Sequence, residues 1–135
     1  MNEQKLSAHG ALVLRITLGV VLLAHAALKV FVFTIPGTVG FFASLGLPAA
    51  AAYLTIGAET LGGLALIVGF RTRLVAVAIL PTLLGATWAH AGNGWVFNAP
   101  NGGWEYPLFL ALAAVVVGLL GAGSFSWDKA REASV

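Results

Sequence analysis

Long apolar stretches separated by short polar connections make up most of this chain. Each is long enough to approach or cross the roughly 30 Å hydrocarbon core of a bilayer as a helix. The pattern predicts an all-α protein, a four-helix transmembrane bundle that forms one domain over residues 10–123. Residues 1–9 and 124–135 are polar and are predicted to be terminal segments outside the membrane. The predicted helices cover about residues 10–35, 48–70, 74–91 and 105–121.

Glycine, proline and asparagine mark the breaks between these helices. Residues 36–37 and 46–48 bracket a short uncharged segment, which is too short to span and is predicted to be interfacial or partly re-entrant. Pro81 is predicted to kink the third helix, because proline removes a helical hydrogen bond. The segment GNGWVFNAPNGGW is predicted to be a loop, and its Trp95 and Trp104 suit the headgroup level of a membrane.

The first apolar stretch also has a signal-peptide interpretation. Residues 24–26 have the small-x-small form of a cleavage site. Against cleavage, Arg15 lies late for the basic start of a signal peptide, and the apolar sequence continues to Ile35. We therefore interpret this stretch as the first spanning helix.

Composition supports a multi-pass protein of a cell membrane, with a prokaryotic cytoplasmic membrane as the expected location. Hydrophobic residues make up 59% of the 135 residues and charged residues only 9%, whereas soluble domains contain about 25% charged residues. The net charge of +2 gives no indication of nucleic-acid binding. The absence of cysteine excludes disulfides and thiolate metal sites within the chain, and no metal is predicted.

Basic residues alternate between the two sides of the predicted bundle. Lys5 precedes the first helix, Arg71 and Arg73 lie between the second and third, and Lys129 and Arg131 follow the fourth. The other two connections contain neither lysine nor arginine. By the positive-inside rule, both termini are predicted to be cytoplasmic, and these residues are predicted to determine the topology.

Polar side chains within the apolar stretches are the candidate functional residues. A charge at mid-bilayer costs at least ~2.5–3.5 kcal/mol, so Glu59 is a functional candidate by default. Arg15 stands apart, because it lies within snorkelling reach of the cytoplasmic surface. Counted at ~1.5 Å of rise per residue, the remaining set converges on the outer half of the bilayer: His25, Lys29, Glu59, His90 and Glu105.

This set suggests proton chemistry on a lipophilic ligand. A carboxylate beside a histidine in a low dielectric is a proton donor and acceptor pair, a role that we assign to Glu59 and His25. An apolar cavity with a few polar groups suits a quinone. The rest of the ligand site is predicted to comprise Lys29, His90, Glu105, Trp95 and Trp104. His25 and His90 could alternatively ligate a b-type haem, for which two histidines are a weak signal.

Each candidate also has a structural interpretation. Glu59 could serve only to hold the first two helices together through His25 or Lys29. His25 could be a satisfied core histidine, and Lys29 could snorkel outward. His90 and Glu105 lie at helix ends, where interfacial polar residues are common.

Several short motifs occur in a specific order along nearly the whole chain: Arg15, Gly19 and Lys29; residues 45–48; Glu59, Gly62, Gly63 and Leu66; residues 69–73; residues 89–90; Glu105; and residues 121–128. With them, the chain resembles the DoxX family of small four-helix membrane proteins. Ala26 stands where that family usually has glycine. The resemblance implies a four-helix membrane fold and a role in membrane redox, as in subunits of thiosulfate:quinone oxidoreductase.

The leading hypothesis is therefore a quinone-interacting subunit of a membrane oxidoreductase, inactive alone and assembled with other membrane or peripheral redox subunits or with a second copy. One alternative is a non-catalytic assembly subunit whose buried charges only specify helix pairing. Another is a proton-coupled exporter of small lipophilic compounds with Glu59 as the carrier site.

Overall fold

A computed structural model describes residues 2–134, and within that range the secondary structure is entirely helical. The predicted all-α fold is confirmed. Three helical segments are long and apolar enough to cross a membrane, namely Glu3–Val32, Ala49–Val68 and Thr72–Asn93. The helices are α1 Glu3–Ala27 with a π-helical turn Leu28–Val32, α2 Ile35–Ser44, α3 Ala49–Val68, α4 Thr72–Ala78, α5 Leu80–His90 with a 3-10 turn Ala91–Asn93, α6 Glu105–Leu120, and α7 Trp127–Glu132.

The first helix begins earlier than its hydropathy indicates. It starts at Glu3 and not near residue 10, because the Asn2 side chain caps it by accepting a hydrogen bond from the Lys5 N–H at 3.0 Å. The helix therefore extends about two turns beyond the apolar stretch. At Pro81 the prediction is confirmed, since the third apolar stretch breaks at Ile79 into α4 and α5. The 16-residue α6 is shorter than a typical spanning helix, so a fourth span stays a prediction.

Small residues allow a close contact between α1 and α3. A Cβ atom added to Gly63 of α3 would lie 2.8 Å from the carbonyl oxygen of Gly19 in α1, so glycine allows the two backbones to touch. Helix α6 packs along α4 and α5 and also contacts α1. The core between them is aliphatic and contains Leu18, Leu22, Leu66, Ala76, Ile79, Leu83, Leu110, Ala111, Ala114 and Val117.

The C-terminal segment is docked against the rest of the protein and is not a free polar tail. Backbone N–H groups of Ser124 and Asp128 donate to the carbonyl oxygens of Ala8 and Gly69, each at 3.0 Å. The Asp128 carboxylate also accepts the backbone N–H of Thr72 at 2.8 Å and that of the preceding residue at 2.7 Å. We call this end of the bundle the basic end; it carries Lys5, Arg71, Arg73, Lys129 and Arg131.

Hydrogen bonding keeps the Asp128 carboxyl ionised. Burial raises the pKa of this group, but hydrogen bonds from the backbone N–H groups of Thr72 and Arg71 lower it, and so does the nearby Arg15 charge. The net pKa lies below its ordinary value. The carboxylate thereby closes the connection between α3 and α4, where Arg71 adopts a left-handed φ of 44°.

Arg15 was predicted to lie within snorkelling reach of the cytoplasmic surface, but its side chain is fully buried at 0% exposure. Its guanidinium donates to five main-chain carbonyl oxygens and holds α1 to the end of α3 and to the connection between α6 and α7. Nε donates to Ala122 at 2.8 Å. The other acceptors are Leu66 and Ile67 for Nη1, and Ser124 and Phe125 for Nη2.

Two of the five predicted topology residues, Arg71 and Arg73, have different surroundings. Arg73 donates from Nη1 to the carbonyl oxygens of Gly118 and Leu119 at 2.7 and 2.8 Å, and so closes the C-terminal turn of α6. Arg71 is exposed, and its guanidinium lies 5.9 Å from the ring centroid of Phe70.

Candidate functional site

The polar site inside the bundle is an ion pair between α1 and α3. Lys29 Nζ donates to both carboxylate oxygens of Glu59, at 2.8 and 2.9 Å. The side chains are 18% and 7% exposed, respectively, so the ammonium is the more accessible partner. An ammonium has three N–H donors, and one of them has no partner among residues 2–134.

A π-helical turn positions Lys29. The N–H of Phe33 donates to the carbonyl oxygen of Leu28 at 2.9 Å, five residues back, which widens the helix by one residue. The buried Thr38 hydroxyl of α2 lies 2.9 Å from the carbonyl oxygens of both Lys29 and Thr34. Helix α2 therefore secures the turn that directs Lys29 towards α3. Such π turns occur frequently at functional sites.

His25 does not form the predicted proton pair with Glu59, because Glu59 is bound by Lys29. Its Nδ1 lies 2.8 Å from the carbonyl oxygen of Val21, which can only accept, so Nδ1 carries a proton. The ring stacks on Tyr106 of α6, with 5.9 Å between centroids and 30° between planes. When His25 is neutral, its Nε2 is an acceptor, and it makes no hydrogen bond within the described chain.

The remaining predicted site residues organise the loop between α5 and α6. His90 donates from Nδ1 to the Ala86 carbonyl at 2.7 Å, and Glu105 accepts the Phe97 N–H at 3.1 Å. Lys29 and Glu105, both predicted to belong to the ligand site, each have another partner and are not paired with each other. The rings of Trp95 and Trp104 meet edge to face at 4.6 Å.

Two residues at the site were missed by sequence reasoning. Tyr106 lies in the first turn of α6 beside Glu105, and an aromatic residue with a hydroxyl at a helix end was a usable signal. Thr38 gave no signal, because its role depends on the π turn and on the start of α2 at Ile35.

The alternative haem hypothesis gains no support from the surroundings of the two histidines. Within residues 2–134, no three His, Asp or Glu side chains come together as metal ligands. His25 lies against Tyr106, whereas the ring of His90 faces Gly102, where an added Cβ would be 3.2 Å from His90 Cδ2. The two histidines therefore have different surroundings.

The sequence matches the DoxX family over residues 10–92, a range that includes Arg15, Lys29 and Glu59. This chain belongs to the DoxX family. It is also similar to "Putative oxidoreductase CatD" of Bacillus subtilis (strain 168), with 32% identity over 120 residues that cover 88% of this chain and 84% of that protein. No solved structure matches. Membership of this family and the three long apolar helical segments indicate a multi-pass membrane protein.

Proposed function

We propose that this protein is a quinone-binding subunit of a membrane oxidoreductase. The observation that carries the proposal is the unpartnered N–H of Lys29, one helical turn from the unpartnered Nε2 of His25. A quinone is apolar with two carbonyl oxygens that accept hydrogen bonds, so it suits a site that offers the Lys29 donor and, when His25 is protonated, a second donor at Nε2 in apolar surroundings. The relative whose name includes oxidoreductase supports the reaction class.

The chain supplies protons and position, and a redox partner supplies electrons. Reduction follows Q + 2e⁻ + 2H⁺ → QH₂, and both electrons come from a flavin- or metal-containing partner subunit. The third N–H of Lys29 binds one quinone oxygen and delivers a proton to it. Protonated His25 delivers the second proton through Nε2. Glu59 holds Lys29 in place. After Lys29 has delivered its proton to the quinone, Glu59 receives the proton that restores the charge of the pair.

Quinone retention by the protein purified in mild detergent tests the binding step. A bound quinone is extracted, quantified and compared with reloading by decylubiquinone. Lys29→Met removes the donor but keeps an unbranched stem. We expect quinone affinity to fall at least tenfold, because one hydrogen bond from a charged donor contributes about that much to binding. Lys129→Met makes the same change on the exposed α7 and is the matched control. Equal retention by wild type and Lys29→Met would contradict the proposal.

The Glu59 role needs a separate assay. Glu59→Gln keeps the shape of the side chain but cannot carry the replacement proton. We expect it to abolish quinone-linked activity, measured per amount of folded protein in membranes that contain the redox partner, while quinone binding by the recovered protein changes much less. Glu132→Gln on α7 is its matched control. Full quinone-linked activity in Glu59→Gln would remove Glu59 from the mechanism.

A second candidate function is assembly without catalysis. It is favoured because Lys29 engages both oxygens of Glu59, as expected of a pair that only fixes helix packing. The exchange Lys29→Glu with Glu59→Lys separates the two functions. If the pair serves assembly, the exchanged chain recovers the complex that either single change loses. If it serves quinone chemistry, the exchanged chain assembles but does not reduce quinone. The exporter hypothesis stays a prediction.

A further inference from the structure

A second polar cluster lies at the basic end, remote along α1 from Lys29. An open depression of about 610 Å³ is lined by residues from both ends of the chain: Lys5, His9, Ser124, Phe125 and Lys129. The predicted quinone chemistry does not use any of these residues. The cluster is therefore independent of the proposed function.

Buried hydrogen bonds hold the depression in shape. Arg15 binds the carbonyl oxygens of Ser124 and Phe125 at 3.3 and 3.1 Å. With its carbonyl turned inward, Phe125 adopts a left-handed φ of 48°, which is rare for a bulky residue. Its ring is 82% exposed and meets His9 edge to face at 6.4 Å. The wall of the depression is thus fixed from inside the bundle.

The depression is cationic. Among residues 2–134, the Lys29–Glu59 pair is the one salt bridge, so the ammonium groups of Lys5 and Lys129 have no carboxylate partner. The carboxylate of Asp128 is already bound to backbone N–H groups of the α3–α4 connection. A ligand that enters between Lys5 and Lys129 therefore meets uncompensated positive charge.

Apolar rings flank the same charges. Phe125 and Trp127 are 82% and 53% exposed. Lys5 and His9 lie on the first turns of α1, just before the apolar stretch that begins at Gly10. Cations and aromatic rings next to the start of a spanning helix lie at headgroup depth. This combination suits a ligand with an anionic head and apolar tails.

We propose that this depression binds an anionic phospholipid. The phosphate lies between the ammonium groups of Lys5 and Lys129, with His9 beside it, and the acyl chains run along Phe125. Basic clusters beside spanning helices attract anionic headgroups electrostatically, and the exposed ring adds an apolar contact that a free phosphate would not use.

Native mass spectrometry of the detergent-purified protein tests this proposal with dioleoyl phosphatidylglycerol and dioleoyl phosphatidylcholine as probes. We expect the wild type to retain phosphatidylglycerol preferentially, and Lys5→Gln with Lys129→Gln to lose roughly 30-fold of that preference, at about fivefold for each lysine. Arg131→Gln, an equivalent change on α7 outside the depression, should keep the preference. Equal retention of the two lipids by the wild type, or an equal loss in Arg131→Gln, would overturn the site.

Two further measurements identify the source of the phosphate and exclude misfolding. Excess glycerol 1-phosphate should not displace the lipid, and Phe125→Asn, which tolerates the left-handed backbone, should weaken lipid retention. Displacement by glycerol 1-phosphate, with no effect of Phe125→Asn, would assign the site to a free anion and overturn the lipid proposal. Exchange protection of the Ser124 amide, which donates to Ala8, checks that the variants keep the docked segment.

Discussion

Replacing Arg15 with methionine tests how the basic end is held together. Methionine keeps an unbranched apolar stem and removes all five N–H donors of the guanidinium. The carbonyl of Leu66 also accepts the Gly69 N–H at 3.2 Å, so it keeps a partner. Three acceptors in the connection after α6 have no other donor within residues 2–134, namely the carbonyl oxygens of Ala122, Ser124 and Phe125.

The magnitude follows from these three carbonyls. A buried acceptor left without a donor costs about 1–3 kcal/mol. The connection lies at the edge of the protein, where water can reach it after a small movement, so the lower value applies to each carbonyl. The docked segment should lose about 3 kcal/mol in Arg15→Met, which is roughly a hundredfold in the ratio of docked to undocked chains.

Hydrogen exchange measures this ratio directly. The Ser124 and Asp128 amides donate to Ala8 and Gly69, and both bonds exist only while the segment is docked. We expect roughly a hundredfold faster exchange at both amides in Arg15→Met, with the amides in the middle of α3 little changed. Arg15→Lys keeps the charge without the planar guanidinium, and its exchange rates should lie between those of the wild type and of Arg15→Met. Unchanged protection at Ser124 in Arg15→Met would refute this account.

Three other changes probe the packing. Gly63→Ala places a Cβ 2.8 Å from a carbonyl oxygen of α1 and should cost about 1–3 kcal/mol in detergent unfolding, whereas Gly57→Ala faces open space and should be neutral. Because the pKa of Asp128 is lowered in the folded protein, its carboxylate stabilises the fold fully at pH values above the unfolded pKa, and this stabilisation is lost as the pH falls through the folded pKa. Below about pH 4, acid should therefore lower the thermal midpoint of the wild type. The thermal midpoint of Asp128→Asn should fall less. Glu59→Ala leaves the half-buried Lys29 without its counterion and should cost up to about 3 kcal/mol, the lower end of what breaking a fully buried pair costs. Adding Lys29→Met should recover part of the loss.

Hydropathy predicted the apolar elements, because a bilayer imposes a strong pattern on length and composition. Residue type predicted the break near Pro81 and the loop after His90, since proline, glycine and asparagine interrupt helices. Hydropathy did not predict the start of α1. The polar residues from Glu3 to His9 are compatible with a helix outside the hydrocarbon core, and a hydropathy boundary marks the membrane and not the end of the helix.

Depth along the helix made Glu59 a candidate and named His25 and Lys29 as its possible partners, but it could not decide between them; the structure pairs Glu59 with Lys29. Counting 1.5 Å per residue assumes a regular α-helix, whereas the π turn at Leu28–Val32 redirects the chain just where Lys29 lies. The error for Arg15 has a different cause. Its acceptors are main-chain carbonyls in an irregular connection, and a sequence pattern carries almost no signal for the direction of a backbone carbonyl.

The two buried cations of α1 also differ in what they can still bind. All five N–H donors of Arg15 are engaged by carbonyl oxygens, and none of these acceptors can exchange a proton. Lys29 uses two of three donors on Glu59, a group that can be protonated. A ligand can therefore join the Lys29 site without breaking the ion pair, whereas binding at Arg15 would first break its bonds to the chain. The free donor of Lys29 is therefore the reason that we propose ligand chemistry at that end of α1, whereas Arg15 holds the opposite end in place.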